Sequence, residues 1–231
     1  MPLLLATAGK HGLAASAYYE KIAGEDAASR IKSAIGDINY LLARYGGDRA
    51  WLRAGGKPVL FVYGRALHEL SPADWQQVIT QVRRNNPGGV VLIADSLDPR
   101  FVAVFDGAST YNVAGQTRHK SPAEIRAWAH AAYPKMVAAA GPGKISTVTV
   151  IPGYDDRNTA RPPPRPVTDR WDGETYRVLW QEAVAAAPDY VLITSWNEWH
   201  EGSEIEPSAE YGSRMLDETV AFSRQFVAGQ R

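Results

Sequence analysis

Apolar residues along the chain follow two alternating rhythms. Between residues 25 and 44, Ile31, Ala34, Ile35, Ile38, Leu41 and Leu42 stand three or four apart, the spacing of one helix face, until Tyr45-Gly46-Gly47 stops the run. Ser71-Pro72-Ala73-Asp74 reads as an N-cap with proline in the first turn of a helix reaching Asn85, and Ser121-Pro122-Ala123-Glu124 as a capping box for one reaching Ala140. Helices are also predicted over residues 173–187 and 211–228, and residues 2–10 read as the tail of a helix closed by Gly12. Between these lie short apolar runs with the length and composition of buried strands: 13–19, 57–63, 89–95, 101–107, 145–151 and 190–193. At most a turn of helix fits between the third and the fourth.

Strands alternating with helices imply a parallel sheet in an α/β protein. Acidic residues gather at the strand ends: Glu20, Asp95, Asp106, Asp155, Asp156, Glu198 and Glu201. That points to a (β/α)8-type TIM barrel, in which all the C-terminal strand ends face one mouth. Six strands do not close eight, so the barrel is expected to be incomplete. The whole of 1–231 is expected to be one catalytic-type domain, with N-terminal βα units missing because no strand precedes the first helix. A doubly wound open sheet is the second choice. No glycine-rich phosphate loop follows any strand, which argues against its nucleotide-binding version.

Composition narrows the partners. Lys plus Arg and Asp plus Glu are 25 each, so nothing electrostatic favours nucleic acid or an anionic membrane. No run approaches the roughly 18 apolar residues of a membrane span. Residues 1–8 are apolar without a basic start and are cut short by Gly9-Lys10-His11-Gly12, so no signal peptide is read and the compartment stays open. With no cysteine there is no disulfide, thiolate nucleophile or thiolate zinc site. Seven Trp and 11 Tyr lean toward a glycan, whose sugar rings stack on aromatic faces.

The densest chemistry directly follows the last strand. Two Trp, one Asn, one His and four Glu fall between Trp196 and Glu206, where a solvated loop rarely combines paired tryptophans with so many carboxylates. Glu198 and Glu201 stand three apart, so one helical turn is expected to put both on the same side. Trp196 and Trp199 flank them and are expected to lower the local polarity. Asp106 and Glu20 are rival partners from other strands. His200, without a second His at ligand spacing, reads as a hydrogen-bonded site residue and not a metal ligand. Asp155 and Asp156 fit sugar hydroxyls better than a cation. The proline cluster of residues 161–166 reads as a rigid loop.

Trp196-Asn197-Glu198-Trp199-His200-Glu201-Gly202, with Ile205-Glu206-Pro207 behind it, resembles the signature of glycoside hydrolase family 99, the family of endo-acting α-mannosidases and α-mannanases. Other segments resemble the family in order: Gly56-Lys57-Pro58-Val59 through Tyr63, Phe105-Asp106-Gly107 with Thr110-Tyr111, Pro152-Gly153-Tyr154-Asp155-Asp156 with Arg161, and Arg170-Trp171-Asp172-Gly173 with Tyr176 and Trp180. The resemblance covers about residues 13–222, and the proline cluster and Ser203-Glu204 depart from it. It implies that Glu198 is the base assisting the substrate's own 2-hydroxyl in attacking the anomeric carbon. Glu201 would be the acid that protonates the leaving group and later activates water, so that configuration is retained through an epoxide-like intermediate. Substrate contacts are expected from Trp196, Asn197, Trp199, His200, Glu206, Asp106, Tyr111, Tyr154, Asp155, Asp156, Glu20 and Tyr63. The implied partner is an oligo- or polysaccharide with α-mannosidic linkages, and no cofactor or metal is implied. In the family one or two βα units precede the point where this chain starts. The alternatives are a glycosyltransferase-like protein of polysaccharide biosynthesis and a non-catalytic carbohydrate-binding remnant.

Overall fold

A computed structural model describes residues 1–229. The chain divides into two compact units, Met1–Ala108 and a second beginning at Ser109.

The first unit opens with α1 (Pro2–Lys10), whose end is closed by Leu13 N donating to Ala8 O at 2.9 Å with Gly12 left-handed at φ 68°. After β1 (Tyr18–Tyr19) comes α2 (Ala27–Tyr45), started by an Asp26–Ser29 capping box and burying Ala34, Ile38 and Leu42. β2 (Arg53–Ala54) pairs antiparallel with β3 (Lys57–Val62), and α3 (Gly64–His68) follows. The box on α4 (Pro72–Asn85) comes from Ser71 and Asp74, and its inner face is Trp75, Val78, Ile79 and Val82. β4 (Val91–Ala94) is buried at every position, as expected of a strand covered on both faces. It runs parallel to β3, which runs parallel to β1.

The run from 101 to 107 is not the strand its apolar content predicts. Asp98 caps a single helical turn, α5 (Pro99–Val102), and the strand is only β5 (Gly107–Ala108), parallel to β4. Phe101, Val102 and Phe105 are buried while Ala103 is exposed, which is a helical spacing and not the alternation a strand requires. A short apolar run carries no period that separates the two cases. The predicted strand at 13–19 also shrinks to β1, with Ala15 adding one isolated bridge to Trp51.

In the second unit, α6 (Ala114–Thr117) precedes α7 (Pro122–Ala140), opened by the Ser121–Glu124 capping box. β6 (Ile145–Val150) leads into a small antiparallel pair, β7 (Tyr154–Asp155) with β8 (Val167–Thr168). Then come α8 (Glu174–Ala186), β9 (Tyr190–Ile193) and α9 (Arg214–Gly229). β9 runs parallel to β6, and Asp189 Oδ2 fixes the start of that pairing by accepting from both N and Oγ of Ser146 at 2.8 Å. The core joins Ile125, Ala129 and Tyr133 of α7 to Val148 and Val150 of β6 and to Leu179 and Trp180 of α8, with Phe222 of α9 stacked on Trp180. β9 is half-buried at all four positions, where its apolar run predicts burial on both faces. Val191 and Ile193 pack on this core, and the alternate pair, Tyr190 and Leu192, stays partly open.

Among the described residues β1, β3, β4 and β5 thus run parallel in the first unit, and β6 and β9 run parallel in the second, with helices between successive strands. No helix of these residues is long and apolar enough to cross a membrane.

Candidate active site

The ends of β6 and β9 deliver the chemistry. Thr194 N extends their pairing by donating to Val150 O at 3.1 Å, and Thr194 Oγ1 donates to the carbonyl of Tyr111. Tyr111 is half-buried. After the cis peptide at Thr194–Ser195 the chain folds back on itself. Ser195 N donates to Ser203 O at 2.8 Å, Ile205 N to Ser195 O at 3.0 Å and Glu206 N to Trp196 O at 2.9 Å. The predicted site loop is therefore a closed, hydrogen-bonded lobe with a 3-10 turn, Trp199–Glu201, at its tip.

That turn gives the two carboxylates different surroundings. Glu198 precedes it, its N–H held by Ser195 Oγ at 2.9 Å and its side chain exposed. Glu201 ends it and is buried, with 5% of its surface accessible. Glu201 Oε1 accepts from Arg161 Nη2, while Oε2 is buried with no hydrogen-bond partner among the described residues. Arg161 Nη1 also donates to Tyr154 OH at 2.7 Å and to buried Asp156 Oδ1 at 3.0 Å. The hydrogen bond to Glu201 holds the Arg161 guanidinium above its ordinary value. Burial, then the negative charge of Glu201, pushes the Tyr154 phenol up to about 12. Asp155 is occupied by Arg157, which binds both its oxygens and holds it below the usual carboxylate range. The proline loop is tied down by Arg165, which donates to Arg161 O at 2.8 Å and to Arg157 O at 3.2 Å.

Trp196 and Trp199 are about half exposed, at 50% and 46%, so neither makes an apolar wall around the carboxylates. Trp199 Nε1 donates to Glu206 Oε2 at 3.0 Å, while Asn197 and His200 are exposed. Beside the lobe lies a cavity of about 550 Å³ lined by Tyr154, Asp155, Trp199, Arg170, Glu204 and Tyr211 among others. Arg170 and Glu204 form a buried ion pair at 2.8 Å. Burial draws the Arg170 guanidinium below its ordinary value, against the opposing charge of Glu204. Among the described residues no cluster of three or more His, Cys, Asp or Glu is placed to hold a metal ion.

Three candidates belong to the first unit. Glu20 is exposed after β1. Tyr63 sits 5.4 Å from the Tyr18 ring, with the Arg65 guanidinium over it. Asp106 has both oxygens engaged within its unit, one by Arg83 at 2.6 Å and the other by Leu92 N at 2.9 Å. In the second unit the structure brings Tyr154, Asp156 and Glu201 onto one arginine. Sequence reasoning assigned no role to Arg161 or Arg170, although both stand in family-like segments, and it passed over Glu204 and Tyr211. No periodicity marks an arginine that pairs across loops.

The match to the Glycosyl hydrolase family 99 model runs over residues 1–220. The chain belongs to glycosyl hydrolase family 99. It is 27% identical over 224 residues to a glycoprotein endo-alpha-1,2-mannosidase-like protein of Mus musculus, covering 89% of this chain and 46% of that protein. To the glycoprotein endo-alpha-1,2-mannosidase of Mus musculus it is 24% identical, with 89% and 45% covered. The GH99 endo-alpha-mannosidase structure from Bacteroides thetaiotaomicron matches with a TM-score of 0.77 and 25% identity, covering 99% of this chain and 71% of that one. The fold of this family 99 chain is thus α/β of the (β/α)8-barrel type. The chain spans about half the length of the curated relatives it matches.

Proposed function

We propose that this family 99 chain is a glycosidase that hydrolyses α-mannosidic linkages in a glycan with retention of configuration, using Glu198 and Glu201. The observation that carries the reading is the unequal placement of the two carboxylates on one closed lobe. Glu198 is open to an incoming hydroxyl, whereas Glu201 has one oxygen engaged by Arg161 and the other unpartnered. In this reading Glu198 takes the proton of the substrate's 2-hydroxyl as that oxygen attacks the anomeric carbon. Glu201 Oε2 serves the leaving oxygen and then the water that opens the intermediate. Relatives named as endo-alpha-1,2-mannosidases support the substrate class. Exposed Trp196 and Trp199 supply faces on which sugar rings stack. Asn197, His200 and Glu206 on the lobe are open to sugar hydroxyls, whereas Tyr154, Asp155 and Asp156 beside it are engaged by Arg161 and Arg157 and would act by holding the site in place.

Incubation with α-mannan oligosaccharides, followed by proton NMR, tests this. An α-configured first product is expected, and Glu201→Gln is expected to abolish turnover with little change in melting temperature. A β-configured product, or a surviving rate in that variant, would sink the assignment.

A further inference from the structure

Arg170 joins the lobe at the residues immediately after Glu201. Its Nη2 donates to Gly202 O and to Glu204 O, each at 3.0 Å, and pairs with Glu204 Oε1 at 2.8 Å. Its guanidinium carbon lies 4.2 Å from the centroid of the Tyr211 ring. The side chain is 9% accessible, so these contacts form out of water, where charge-assisted hydrogen bonds are strong and geometrically exacting. Room is made for it: a Cβ on Gly153 would fall 2.5 Å from Arg170 Cγ. The carbonyls it grips belong to the stretch that closes the lobe, since Ser203 between them pairs with Ser195.

We propose that Arg170 is a positioning residue that, paired with Glu204, sets the place of Glu201 by clamping the two carbonyls on either side of Ser203. This rests on the reading of Glu201 as catalytic. The clamp itself is a property of the fold that can be measured without substrate. All three contacts come from Nη2, while Nη1 is buried with no hydrogen-bond partner among the described residues, and the guanidinium lies over the Tyr211 ring; a lysine ammonium on a flexible stem has no such plane to be held there. A misplacement of the order of 1 Å at a reacting group costs up to about a hundredfold in rate.

The test compares wild type, Arg170→Lys, and the double variant Arg170→Met with Glu204→Met. The double variant removes both buried charges together and so avoids the unfolding risk of leaving one unpaired. Hydrogen exchange read by mass spectrometry is expected to be at least about tenfold faster over residues 195–206 in the double variant, with α7 unchanged and Arg170→Lys between the two. With α-mannan oligosaccharides, kcat is expected to fall about tenfold or more while KM stays within about threefold. Unchanged exchange over 195–206 in both variants overturns the clamp. Faster exchange with an undiminished kcat overturns the positioning role. A wild-type chain that turns over no mannan removes the glycosidase reading instead, and the exchange comparison still decides the clamp. If the double variant does not fold, Arg170→Lys carries the same comparison.

Discussion

Arg161 binds Glu201 with one guanidinium nitrogen and both Tyr154 and Asp156 with the other. One half-exposed arginine therefore organises a carboxylate on the β9 lobe and two polar groups on the β6 loop. Arg161→Met leaves Glu201 and Asp156 buried without their cation. Half-exposure of Arg161 moderates that cost to about 1–2 kcal/mol, or roughly 2–8 °C in melting temperature. kcat is expected to fall more than tenfold, on the order of 1.4 kcal/mol or more in the barrier. A double-mutant cycle with Glu201→Gln should show strong coupling, and additive effects would separate the two residues.

Gly202 turns the chain directly after Glu201 at φ 56°, and a Cβ there would lie 3.1 Å from Asp155 Cβ and 3.2 Å from Asp155 N. Gly202→Ala meets both a left-handed backbone and crowding by backbone atoms. It is expected to cost about 1–3 kcal/mol in urea melts. Because the strain sits beside Glu201, turnover should fall as well.

Tyr154 supplies a pH signature. Burial pushes its folded pKa up to about 12, above the ordinary tyrosine value of about 10, so its stabilising contribution is complete below about pH 10 and lost as pH rises toward 12. The unfolded chain ionises first, which pulls the equilibrium toward unfolding. Tyr154→Phe should flatten the alkaline fall in stability between those limits, and a difference titration at tyrosinate wavelengths should remove one late-ionising group. A curve identical to wild type would contradict the assignment.

Trp196 and Trp199 expose about half their surface on the lobe. Trp196→Ala is expected to raise KM several-fold with a smaller change in kcat, since a stacking face binds the ground and transition states alike, at about 0.5–1.5 kcal/mol of affinity. Trp199→Phe keeps an aromatic face, smaller than the indole, and deletes the Nε1–H bond to Glu206. It should cost less in KM than Trp196→Ala and leave the melting temperature nearly unchanged.

Asp106 uses both oxygens to hold Leu92 and Arg83. Asp106→Asn is expected to lower stability by about 1–3 kcal/mol in chemical denaturation. A rise in KM without loss of stability would assign this carboxylate to substrate instead.

Much of this molecule is written locally in its sequence. Ser71 with Asp74 and Ser121 with Glu124 start α4 and α7 because a cap is a contact between residues three apart. The segments Val91–Ala94 and Ile145–Val150 are strands because their apolar runs have the length and company of strands. The lobe after Ile193 declares its family because an unusual string of Trp and Glu is contiguous in the chain. Tertiary structure decided what contiguity leaves open. Phe101 and Val102 went to a helical turn because only the space around them separates that choice from a strand. Glu198 and Glu201, three residues apart, parted into solvent and interior. What engages Glu201 is Arg161, 40 residues away, and what clamps the carbonyls beside it is Arg170, 32 and 34 residues away. Such distant pairings depend on how strands and loops pack and leave no period or spacing in the sequence. The candidate carboxylates were therefore legible from the chain, and the arginines that hold them in place were not.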